Sequence, residues 1–154
     1  MKKVRTKILI TLALAVFALP AVAQQTGQQQ QQQMQQMQQQ MQSMMGQMNQ
    51  MIERTQNMTR EMNRQMEQTQ NQQMKNQFQM MHRFSEQMGM TLGNMKNAAE
   101  RCDQMIQDRE MMRNREMQQE MQRMQRHLSD MTEEMENAIK TMERMSERLR
   151  SNQP

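Results

Sequence analysis

MKNQFQMMHRFSEQMGMTLGNMKNAAERCDQMI, residues 74–106, spaces its apolar and small residues at alternating steps of three and four. Met74, Phe78, Met81, Ser85, Met88, Leu92, Met95, Ala99, Cys102 and Ile106 then share one face of a helix, the pattern of a heptad seam. Two glycines inside the stretch decide the fold. If Gly89 takes the left-handed conformation after a helix ending at Met88, and Asn94 caps a second helix, the chain turns over 89–93 and makes a helical hairpin. If the unbroken seam dominates, one helix runs through as part of an extended coiled coil, at about 1 kcal/mol for each glycine relative to alanine. The hairpin is the expectation taken forward.

Working outward, the same spacing recurs on both sides. Met34, Met37, Met41, Met44, Met48, Met51, Thr55, Met58 and Met62 form one run. Met117, Met121, Met124, Leu128, Met131, Met135, Ala138, Met142, Met145 and Leu149 form another. The eleven-residue step from Ile106 to Met117 resembles a stutter that locally unwinds a supercoil. Proline occurs only at Pro20 and Pro154, so nothing between them forbids long helices. The expected fold is all-α: long amphipathic helices with a methionine-rich seam. The expected divisions are a first coiled-coil helix over 53–88, a turn at 89–93, a second helix over 94–150 and a tail at 151–154. Residues 24–52 carry no charge and are mostly glutamine and methionine, a low-complexity tract. From Glu53 onward acids and bases alternate as on a solvated helix face, and Glu136 stands four residues before Lys140 in the favourable orientation.

Residues 1–23 have the layout of a bacterial secretory signal. Lys2, Lys3, Arg5 and Lys7 precede an apolar run from Ile8 to Leu19, and Ala21-Val22-Ala23 supplies the small residues for cleavage between Ala23 and Gln24. That run is short of the roughly 20 residues a membrane-spanning helix needs, so the mature chain is expected in the periplasm or secreted, without stable membrane insertion. The whole chain has 20 Lys and Arg against 16 Asp and Glu. Four of the bases and none of the acids lie in residues 1–23, which leaves the remainder balanced. Without net positive charge, and with Phe78 and Phe84 as its only aromatics, the mature chain has no basis for a nucleic-acid partner. Its large aliphatics are Ile52, Leu92, Ile106, Leu128, Ile139 and Leu149, enough for a narrow seam but not for a wide interior. Such a seam suggests a homo-oligomer.

The seam explains where the methionines lie better than why they are methionine. Methionine is flexible and specifies packing poorly, yet the chain has 27 of them. Met45, Met80, Met90, Met105 and Met111 even fall off the seam. One chemistry that needs many thioethers and no particular geometry is sulfoxidation by peroxide or hypochlorous acid, which dedicated reductases reverse. Candidate acceptors are Met34, Met37, Met41, Met44, Met45, Met48, Met80, Met90, Met105, Met111 and Met112. Thin helices would keep even the seam near solvent.

In export, polarity and methionine content, roughly over Met34 to Met145, the chain resembles the bacterial methionine-rich periplasmic proteins proposed to scavenge reactive chlorine species. The resemblance implies sacrificial oxidation, with a methionine sulfoxide reductase as partner.

A second chemistry is soft-metal binding, since thioethers suit Cu(I) and Ag(I). Met121, Met124, His127 and Met131 are the best-spaced set, at steps of three and four. The third reading is a purely structural coiled coil for oligomerisation. Cys102, alone on the seam, would meet its own copy in a parallel dimer and form an intermolecular disulfide, or remain a reduced seam residue. With two histidines and no glycine-rich phosphate loop or zinc spacing, nothing in the sequence builds an enzyme's pocket.

Overall fold

A computed structural model describes the backbone of residues 20–151 and the side chains of 27–151. The expected signal segment therefore lies largely outside the described residues. The described chain is all-α. Helix α1 spans Pro20–Gln68, α2 spans Gln72–Gln107, a single 3-10 turn covers Met111–Arg113, and α3 spans Arg115–Ser151. The chain divides into two compact units, residues 1–36 and 37–154. In the first, the described backbone is the opening part of α1, helical from Pro20 and so across Ala23–Gln24. The glutamine-rich tract 24–52 is helical throughout.

In the second unit three helices pack into one bundle. Ser85 on α2 donates a hydrogen bond to the Thr55 carbonyl at 2.9 Å, and Gly89 also lies against Thr55. Thr59 lies 2.9 Å from Ser85, so α2 descends as α1 rises. Between α1 and α3, Gln125 reaches Gln40, Arg54 reaches Glu143 and Arg150 approaches Glu61. Those pairs climb together, so α1 and α3 are parallel. The result is an up-down-up bundle that covers the seam within a single chain. An unburied seam therefore no longer argues for a second copy.

The hairpin at 89–93 is not what forms. Both glycines lie inside α2, and neither has the positive φ of a turn. Gly89 serves packing instead, because a Cβ there would sit 3.3 Å from Thr55 Oγ1. The real breaks are polar. Asn71 Oδ1 accepts from the Gln73 and Met74 amides at 2.9 and 3.2 Å, capping α2. Asp108 Oδ1 accepts from Glu110 and Met111 at 2.9 and 3.1 Å, and Asn114 Oδ1 accepts from Glu116 and Met117 at 2.9 and 3.3 Å. Each side chain satisfies amides that a helix start leaves without partners. The supposed stutter between Ile106 and Met117 is this second connection.

The buried residues of α2 are the ten seam positions of the opening stretch. On α1, Met37, Met41, Met44, Met48, Met51, Thr55, Met58 and Met62 are likewise buried, with Gln65 added. Helix α3 departs from its expected seam. It buries Met121, Gln125, Leu128, Thr132, Ile139 and Met142, while Met124, Met131 and Met145 are exposed. The buried row keeps steps of three and four but is rotated by one position, with Gln125, Thr132 and Ile139 turned inward in place of Met124, Met131 and Ala138. Gln125 is held by α1, its amide donating to the Met37 carbonyl at 3.2 Å and to Gln40 Oε1 at 2.8 Å. The expected Glu136–Lys140 pair is formed at 2.8 Å.

Candidate functional site

Sulfur is distributed through this bundle at three levels of accessibility. Among the described residues fourteen methionines are buried, including Met41, Met48 and Met62 at 0% exposure. Five are exposed: Met80 at 65%, Met90 at 63%, Met145 at 49%, Met131 at 44% and Met124 at 42%. Met34, Met45, Met66, Met105, Met111, Met117 and Met135 are in between. Of the expected oxidant acceptors, Met80 and Met90 are open to solvent, and Met34, Met45, Met105 and Met111 are partly so. Met37, Met41, Met44, Met48 and Met112 are not, because the third helix closes over a seam that two thin helices would have left near water. Met124, Met131 and Met145, placed on the seam by spacing, belong to the accessible set. The signal for that shift was Ile139, a branched aliphatic one position beyond the methionine row.

Met124, His127 and Met131 share the exposed side of α3, whereas Met121 is 1% exposed and belongs to the core. The four do not form one set on one face. Among the described residues no group of three or more histidine, cysteine, aspartate or glutamate side chains is gathered for a metal.

Cys102 is 2% exposed and is a free thiol. Helix α3 occupies the side on which a second copy was expected, so the thiol is not presented for an intermolecular disulfide. Its Sγ donates instead to the Met124 Sδ at 3.0 Å, across the α2–α3 contact. Burial raises the thiol's pKa above its ordinary range, because the charged form loses solvation. Spacing missed this pair, since Cys102 and Met124 are 22 residues apart and on different helices.

An open apolar groove of about 920 Å³ runs further along the same two helices. Met80, Met81 and Phe84 line one wall, and Ala138, Met142, Met145 and Leu149 line the other. Its rim collects three of the most exposed apolar side chains, Met80, Phe84 and Met145. Some of the surface charge is paired. Arg54 binds Glu143 in two bonds of 3.0 and 2.7 Å, which raises the guanidinium pKa. Glu136 is held below the usual carboxylate range by Lys140.

These features define a class, a three-helix bundle with a thioether core and a thioether-studded surface. No protein-family model matches the chain, and no curated protein or solved structure does either. No described helix is long and apolar enough to cross a membrane.

Proposed function

We propose that this protein is an exported sink for reactive oxidants, consuming them by sulfoxidation of its methionines and returned to use by a methionine sulfoxide reductase. The observation that carries the reading is the accessible set. Met80 and Met90, at 65% and 63% exposure, hold most of their side-chain surface in solvent rather than in the core. With peroxide, each accessible thioether attacks an oxygen, a sulfur–oxygen bond forms as the oxygen–oxygen bond breaks, and water leaves. With hypochlorous acid the sulfur takes the electrophilic chlorine, releasing hydroxide, and water then displaces chloride from sulfur to give, in sum, the sulfoxide, chloride and a proton. The chemistry is stoichiometric, so it needs no pocket and no catalyst.

Burial then sets the order. Surface methionines take oxygen while the core remains reduced and folded. Oxidation reaches Met41, Met48 or Met62 once the bundle opens, and a sulfoxide there places a polar group among apolar ones at a cost of about 1–3 kcal/mol if it finds no partner. A protein with such a core resists moderate oxidant and loosens under excess, exposing its remaining sulfur.

The test is a titration of the full chain with hypochlorous acid, followed by peptide mass spectrometry. Sulfoxide should accumulate first at Met80, Met90, Met131 and Met145, with helical content retained until that set is spent, and a periplasmic-type reductase should restore the mass. If sulfoxide appeared at buried and exposed methionines alike while the helices stayed intact, or if the oxidised protein precipitated and resisted the reductase, the proposal would fail.

A further inference from the structure

Cys102 and Met124 are the two sulfurs that the fold, rather than the sequence, brings together. Their 3.0 Å contact joins α2 to α3, and it fixes an antiparallel register in which Met105 stands opposite Met121. The Gln125 bond to the Met37 carbonyl brings α1 to the same level. Met37 and Met41, at 4% and 0% exposure, and Met121, at 1%, therefore belong to the layer that holds Cys102. That register sets sulfur-bearing residues of all three helices at or within about a turn of the Cys102 level. Met124, at 42% exposure, gives this layer a side open to solvent.

We infer that Cys102 and Met124, completed by Met121 or by Met37 and Met41, bind one monovalent soft cation of the Cu(I) class. The ligand set selects the ion in two ways. Thiolate and thioether donors are soft and suit Cu(I), and no cluster of harder donors competes among the described residues. Charge selects again, because one thiolate neutralises one monovalent ion. A neutral complex is tolerated in an apolar layer, whereas a divalent ion would leave an unpaired buried charge. On binding, the Cys102 S–H bond breaks and its proton passes to solvent. A metal–thiolate bond forms, the Met124 sulfur donates a lone pair, and no atom changes oxidation state. Metal–sulfur bonds of about 2.3 Å require the two sulfurs to move apart from their present contact, a displacement the flexible, half-exposed Met124 side chain can supply.

This inference is independent of the oxidant reading, since copper retention and sulfoxide formation are measured separately. The full chain is titrated anaerobically with Cu(I) against a chromophoric Cu(I) chelator, with Ag(I) as a redox-silent second probe. One equivalent should be retained. Cys102→Ser should weaken it at least about a hundredfold and Met124→Leu about tenfold, the loss of a direct ligand exceeding the 10–100-fold effects of outer-shell changes only for the thiolate. His127→Ala should leave it unchanged. Copper X-ray absorption should show sulfur as the only near neighbour. Retention of the site in Cys102→Ser, or its loss in His127→Ala with nitrogen scattering at the metal, would overturn the assignment. Should Cys102→Ser fail to fold, the surface-accessible Met124→Leu decides: unchanged affinity there refutes the site, and weakened affinity with an unchanged melting temperature upholds it.

Discussion

Gly93→Ala should stabilise this protein, and Gly89→Ala should not. A glycine inside a helix costs about 1 kcal/mol relative to alanine, chiefly in backbone entropy. At Gly93 a new Cβ meets nothing within 4 Å, so the full amount is recovered. For a bundle of this size about 1 kcal/mol corresponds to a rise in melting temperature of roughly 4 °C. At Gly89 the new Cβ lies 3.3 Å from Thr55 Oγ1. That hydroxyl is not free to swing away, because it donates to the Ile52 carbonyl at 2.8 Å. Thr55 is also 1% exposed and takes the Ser85 hydrogen bond on its own carbonyl. The propensity gain is offset there, and the net change falls near zero or below. The two sites can be separated by a double-mutant cycle, since Thr55→Ala removes the obstructing hydroxyl. In that background Gly89→Ala should regain close to the 1 kcal/mol seen at Gly93, giving a coupling between positions 55 and 89 that position 93 lacks. Thermal and urea melts followed by circular dichroism provide the numbers. Destabilisation by Gly93→Ala of 1 kcal/mol or more would refute the reasoning, because it would mean a left-handed residue in a turn and hence the hairpin that a continuous α2 excludes.

Other expectations follow from the same packing. Phe78→Ala, at a fully buried aromatic, should cost about 3–5 kcal/mol in urea unfolding. Glu143→Gln should cost no more than about 1 kcal/mol, and less at high salt, because the Arg54–Glu143 pair is more than a third exposed on both sides; a larger, salt-insensitive loss would show the pair to be an anchor between α1 and α3. The Cys102 thiol is raised in the fold above its ordinary 9.0. The unfolded chain ionises first, so stability that is full below about pH 9 declines above it. The slope is at most about 1.4 kcal/mol per pH unit, and Cys102→Ser should lack it; parallel slopes in the two proteins would show that the thiol is not desolvated.

Position along each helix was legible from spacing; position around the bundle was not. The ten buried residues of α2 were all on the seam, because a heptad pattern needs only the 3.6-residue period of the helix to place a face. The breaks at Asn71, Asp108 and Asn114 were also written in the chain, as Asx caps and as steps of twelve and eleven residues between runs. They were obscured by Gly89 and Gly93, which look like turn residues and act as packing residues. On α3 the period was right and the phase was off by one position, since the local pattern cannot say how far a helix will be rotated against its neighbours.

Sequence alone determined that this chain is helical, that methionine supplies its apolar surface, and that no large aliphatic or aromatic interior was available to it. Those properties are local or compositional, and neighbouring residues suffice to set them. Tertiary structure alone decided that three helices rather than two share the core, which methionines remain open to solvent, and that Cys102 meets Met124 across 22 residues of chain. Each of these depends on how far one helix is rotated and slid against another, and that is set by the summed packing of the whole layer rather than by any stretch within it.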